Sequence, residues 1–99
     1  MRKFNHVGIV TTEKKPGAFF NEGLSVWLTD FTKSENKIEW LKFEEGSCMP
    51  ELIQKETHMA YEVPDLNEAI KGKKVIFGPV GNMAFIEEEG IPVELMEIK

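Results

Sequence analysis

Several things are scarce in this 99-residue sequence. There is one cysteine, Cys48, so no internal disulfide can form, and a reducing compartment fits. Arginine occurs once, at Arg2, and the lysines form no cluster: Lys14-Lys15 is a pair, and Lys71 to Lys74 is interrupted by Gly72. With a formal net charge of −5, that pattern argues against nucleic acid and anionic membrane as partners. No apolar run approaches the length of a membrane-spanning helix, and the first residues lack the apolar centre of a signal peptide. The expectation is a cytoplasmic protein. Apolar residues make up 41% and charged residues 29%, close to the globular norm, so the chain should form one small folded domain rather than a disordered segment.

Histidine is scarce too, and both copies stand at strand starts. Residues 57–66 read Thr-His-Met-Ala-Tyr-Glu-Val-Pro-Asp-Leu. His58, Ala60 and Glu62 alternate with Met59, Tyr61 and Val63, the period of two that places neighbours on opposite faces of a strand. Asp65 is a helix N-cap, and Glu68 stands at capping-box spacing from it. The opening run His6-Val7-Gly8-Ile9-Val10-Thr11 has a related shape. Each histidine is followed, after a similar interval, by a β-branched-Glu-apolar-apolar run: Ile38-Glu39-Trp40-Leu41 and Val93-Glu94-Leu95-Met96. Repetition at half the chain length implies two packed modules rather than a solenoid.

Taken in order, residues 4–11 form a strand with Phe4, His6, Gly8 and Val10 on one face and Asn5, Val7 and Ile9 on the other. Gly8 leaves space beside an imidazole for close approach of another group. A short helix follows from Thr11 or Thr12 to about Gly23, with Phe19 and Phe20 as its core contribution. Residues 24–31 and 37–43 form a strand pair around Ser34-Glu35-Asn36. In the second of these, Glu39 shares a face with Leu41 and Phe43, which is costly for a carboxylate unless its charge is compensated. Residues 44–56 are a linker with one or two helical turns over 50–55, and Cys48 within it is incidental. A helix over 65–71 is ended by Gly72, with Leu66, Ala69 and Ile70 inward. Strands follow over 73–77, 83–86 and 91–98. Gly78-Pro79 with Gly81-Asn82 forms the first turn and residues 87–90 the second, and Pro92 belongs near a strand start or on an edge. Glu94 shares a face with Pro92, Met96 and Ile98.

These runs together resemble the vicinal-oxygen-chelate superfamily, which includes glyoxalase I, methylmalonyl-CoA epimerase, extradiol dioxygenases and bleomycin-resistance proteins. The likeness spans nearly the whole chain and is strongest over residues 58–97. It implies an α+β fold over residues 1–99 in which paired βαβββ modules curl a mixed sheet around a cavity. Module 1 would cover about 1–45, truncated by a strand and most of its helix, and module 2 about 56–99. It implies metal ligands His6, Glu39, His58 and Glu94, with Glu94 or Glu39 as the proton-moving carboxylate. Such a donor set suits Zn, Ni, Co, Mn or Fe(II).

The activity implied is that of an isomerase or lyase acting on a small oxygenated substrate through a metal-stabilised enediolate or enolate. No basic cluster is present to hold the phosphates of coenzyme A. A metal-free binding protein of the bleomycin-resistance type is the alternative, its cavity lined by Trp27, Trp40, Phe85 and Tyr61. An extradiol-type dioxygenase is third. Its two-His-one-carboxylate site needs an open position that Glu39 would fill. A homodimer is expected, because exposed sheet edges in a small protein invite a second copy.

Overall fold

A computed structural model describes residues 1–98; residue 99, the last of the expected second module, lies outside them. The chain forms a small α+β fold built on one eight-stranded mixed sheet. Its strands are β1 (Lys3–Val10), β2 (Phe19–Asn21), β3 (Val26–Leu28), β4 (Ile38–Phe43), β5 (His58–Val63), β6 (Val75–Val80), β7 (Met83–Glu88) and β8 (Ile91–Glu97). Two short helices, α1 (Glu51–Lys55) and α2 (Leu66–Ile70), complete the regular structure with a 3-10 turn at Phe31–Lys33.

The order across the sheet is β2-β3-β4-β1-β5-β8-β7-β6, so each half of the sequence supplies four contiguous strands. The halves meet along the antiparallel pair β1 and β5. On either side of that seam lies a parallel pair, β1 with β4 and β5 with β8. The sheet curls. Val26 and Leu28 on β3 line the same cavity as Met83 and Phe85 on β7, although five strand steps would separate them by roughly 24 Å in a flat sheet.

Alternation decides what each face receives. On β7 and β8, Phe85 and Glu94 point into the concave side, while Ala84, Ile86, Val93 and Leu95 point outward. The outward set packs with Val63 and with Leu66 of α2, flanked by Ala69 and Ile70, as the helical spacing requires. The Asp65 side chain caps α2 by accepting from the Glu68 amide at 3.2 Å. The Glu68 carboxylate takes Lys71 rather than reaching back to complete a capping box. A second buried cluster, Met49, Ile53 and Phe85, seats α1 across the concave side between Leu24 and Phe43 of the first half and Met83 of the second. Residues 44–56 therefore bridge the halves as well as linking them.

Several expectations fail. No helix forms between β1 and β2. Residues 16–17 turn, Gly17 takes φ +81°, and Phe19–Asn21 becomes an edge strand on β3. Phe19 and Phe20 are consequently exposed rather than core. The first half forms four strands, so it lacks the expected helix but not a strand. Gly78-Pro79 is no turn; it lies inside β6, where the register with β7 shifts between Phe77 and Val80. Proline is tolerated there because β6 is an edge and needs no donor on its open side. The β7–β8 hairpin is tighter than expected. Glu89 and Gly90 at φ 54° and 82° make a two-residue loop.

Candidate metal centre

Sheet register brings the four residues together. Across β1 and β4, Gly8 stands opposite Glu39. Across β5 and β8, Ala60 stands opposite Glu94. Across the seam, His6 faces Ala60 and Gly8 faces His58. Exchanging the halves maps each relation onto the other, so the site has an approximate two-fold arrangement of two imidazoles and two carboxylates.

His6 and His58 are almost wholly buried, at 3% and 1% exposure. His6 Nε2 lies 3.5 Å from Glu39 Oε1 and 3.6 Å from Glu94 Oε1. His58 Nε2 lies 3.8 Å and 3.4 Å from the same two atoms. These separations are too long for good hydrogen bonds. They lie at or slightly above the spacing of donors that share an ion, since two atoms each about 2.1 Å from one cation stand roughly 3 to 3.5 Å apart. His6, His58 and Glu94 have donor atoms that all lie within 4.8 Å of one another. Among the described residues, the buried side-chain nitrogens and oxygens without a hydrogen-bond partner are His6 Nε2, His58 Nδ1 and His58 Nε2. Leaving such atoms unpaired costs on the order of 1–3 kcal/mol each.

The ring of His58 lies flat against the β1 backbone. A Cβ on Gly8 would stand 2.1 Å from His58 Cε1 and 2.4 Å from Nδ1, so only glycine permits this approach. The ring meets Phe85 in a T-shaped contact, with centroids 5.2 Å apart. His6 is held differently. Phe31 stacks on it at 4.1 Å, with planes 17° apart. Asn5 Oδ1 sits 2.7 Å from His6 Nδ1, and Asn5 Nδ2 donates to Glu62 Oε2 at 2.8 Å. Simple alternation assigns Asn5 to the opposite face from His6. The structure instead shows a register shift between Phe4 and His6, a bulge that alternation cannot show.

A cavity of about 200 Å³ opens onto the four residues, walled mainly by Leu, Val, Met and Phe side chains and, among the described residues, by no lysine or arginine. Of the four aromatic residues expected to line it, Phe85 does so. Trp27 and Trp40 lie on the convex side beneath Lys14 and Lys15, and Tyr61 is packed there by Phe4 and Arg2. The reason is alternation: Val26 and Leu28 inward put Trp27 outward, and Glu39 and Leu41 inward put Trp40 outward. A more open groove of about 540 Å³ runs between the end of β1 and α1, past Thr11, Lys42 and Gln54, and holds none of the four. Cys48 is exposed, with its thiol 3.7 Å from the Gly23 carbonyl.

No protein-family model matches the sequence, and no curated protein matches it. Among solved structures, a hypothetical protein from Bacillus halodurans is similar, with a TM-score of 0.66 and 24% identity. The likeness covers 99% of this chain and 95% of that one. It shows a shared fold. No described helix is long and apolar enough to cross a membrane.

Proposed function

We propose that the chain is a divalent-metal-dependent isomerase or lyase of the glyoxalase and epimerase type, acting on a small oxygenated substrate. The observation that carries this reading is the set of three unpartnered ring nitrogens, two of them facing two carboxylates inside one cavity. His6, His58, Glu94 and Glu39 would hold the ion. When bound, it supplies Lewis acidity that lowers the cost of negative charge on a neighbouring substrate oxygen. Glu94 or Glu39 then takes a proton from the carbon beside a carbonyl and returns it to an adjacent atom. The apolar walls keep bulk water away from that exchange. The small volume favours a compact substrate, since pockets for drug-sized molecules are usually about 300–1,000 Å³. The matching register of the four residues in the two halves and the superfamily resemblance support the same reading.

A metal-free binding protein is the second reading, favoured by how apolar the cavity walls are. Calorimetric titration with Zn, Ni, Co and Mn separates the two. His58→Ala and Glu94→Gln should each weaken binding at least 100-fold while the metal-free fold persists, because removing either breaks the shared donor set. Unchanged affinity in either variant overturns the site, and a parent that binds none of the four ions leaves the second reading. For the loaded protein, deuterium should enter small 2-oxo or 2-hydroxy carbonyl compounds beside the carbonyl, and Glu94→Gln should abolish it.

We also propose a homodimer. Phe19 and Phe20 on β2, and Val75 and Val80 on β6, are exposed on the two edge strands. Sedimentation showing only monomer at micromolar concentration would count against it.

A further inference from the structure

His6 and His58 occupy matching positions, yet their second nitrogens meet different surroundings. His58 Nδ1 is buried and unpartnered. His6 Nδ1 faces Asn5 Oδ1 at 2.7 Å. Neighbouring residues of a regular strand point to opposite faces, so this contact between adjacent side chains depends on the bulge in β1. Phe4 pairs with Tyr61 and His6 with Ala60, which leaves Asn5 as the extra residue. The same pairing places Glu62 on β5 next to the bulge, opposite Lys3.

The direction of the bonds follows from Glu62. Its carboxylate accepts, so the Asn5 group facing it at 2.8 Å is the amide nitrogen. That leaves Asn5 Oδ1 facing His6, and an amide oxygen only accepts. The proton of a neutral His6 therefore sits on Nδ1, and Nε2 carries its lone pair toward Glu39 and Glu94. Phe31, stacked on the ring, holds its plane.

We propose that Asn5, anchored by Glu62, is a positioning residue that locks His6 as the Nδ1–H tautomer and presents Nε2 as a bare donor. The proposal rests on the metal-binding reading for its consequence, because a donor whose tautomer is already set binds an ion without first exchanging a proton between nitrogens. His58 has no such partner. Of the two imidazoles, His6 is the pre-set ligand and His58 the adjustable one.

The test reads the ring directly, in metal-free protein. Long-range proton–nitrogen NMR correlations should show His6 Nδ1 as protonated and Nε2 as unprotonated at neutral pH. In Asn5→Ala, and independently in Glu62→Ala, the His6 nitrogens should shift toward a mixture of tautomers, with the His58 signals largely unmoved. Asn5→Asp combined with Glu62→Gln exchanges the amide and the carboxylate and should restore the Nδ1–H form. In parallel titrations with Zn and Co, Asn5→Ala should weaken binding 10- to 100-fold, and the exchanged double variant should recover most of it. A parent with the proton on Nε2, or an Asn5→Ala ring unchanged in tautomer, overturns the proposal. A parent that binds no ion but shows the expected ring states leaves Asn5 fixing the tautomer and removes the metal reading instead.

Discussion

Among the described residues and apart from the 44–56 linker, the first half of the chain buries two large apolar side chains, Val26 and Leu41, and both face the cavity. The second half buries Val63, Leu66, Ala84, Ile86, Val93 and Leu95 in a core of its own, on the side of the sheet away from the cavity. Helix α2 covers that core. The matching surface of the first half has no helix, only Phe20 against Trp27 and lysines over the two tryptophans. Yet each half gives the site one histidine, one carboxylate and one small residue opposite the other half's imidazole. Contributing equally to a site thus does not require contributing equally to stability. The second half is the platform, and the first half is held in register by its seam with β5 and by α1.

The largest expected effect tests that division. Ile86→Ala should cost roughly 3–4 kcal/mol in urea unfolding, because it empties a fully buried position. Leu41→Ala in the first half should cost only about 2 kcal/mol, since its side chain borders existing space. Equal losses would break the comparison.

Next come the two small residues. Gly8→Ala drives a methyl into the His58 ring, and should destabilise by about 1–3 kcal/mol and abolish tight metal binding. Ala60→Gly, at the matching position facing His6, should cost about 0.5–1 kcal/mol and leave metal affinity within a few-fold. Melting curves with and without metal read both. Equivalent behaviour would mean that the two imidazoles are held alike.

The strand pattern is legible in the sequence because alternation is a strong signal when one face is buried, and it alone puts Glu39 and Glu94 on apolar faces. The same alternation turns Trp27 and Trp40 away from the face of Glu39, so bulk and aromaticity are poor guides to the cavity. Residues 12–23 read as a helix because Phe19 and Phe20 look like a helical core contribution. Pairing with β3 overrides that local preference. The role of Gly8 is half visible: space beside an imidazole is expected, but which imidazole fills it depends on register across the seam. The bulge at Asn5 has no signal, since an extra residue without glycine leaves no mark on composition.

The last expected effect concerns a tie between the halves. Arg2 grips Glu88 with two hydrogen bonds, at 2.7 and 2.8 Å, and Lys73 adds a third contact. The hydrogen bonds from Arg2, then the one from Lys73, lower the Glu88 carboxyl from 4.5 to about 2. A depressed folded-state value stabilises fully above pH 4.5, and that contribution fades as pH falls from 4.5 through about 2. Screening by solvent holds it to about 1 kcal/mol. Glu88→Gln should flatten acid unfolding in that window by this amount. An unchanged pH profile would show that the tie contributes nothing.

The seam between β1 and β5 also sets an order of events in folding. The β7–β8 hairpin closes over two residues, whereas pairing His6 with Ala60 joins positions about fifty residues apart, a closure that costs more chain entropy and proceeds more slowly. Pulsed hydrogen exchange during refolding should therefore protect the β7 and β8 amides first and the β1 amides last. Until that last pairing, the two imidazoles belong to separate pieces of structure, and the cluster of His6, His58, Glu39 and Glu94 comes together only with the final step.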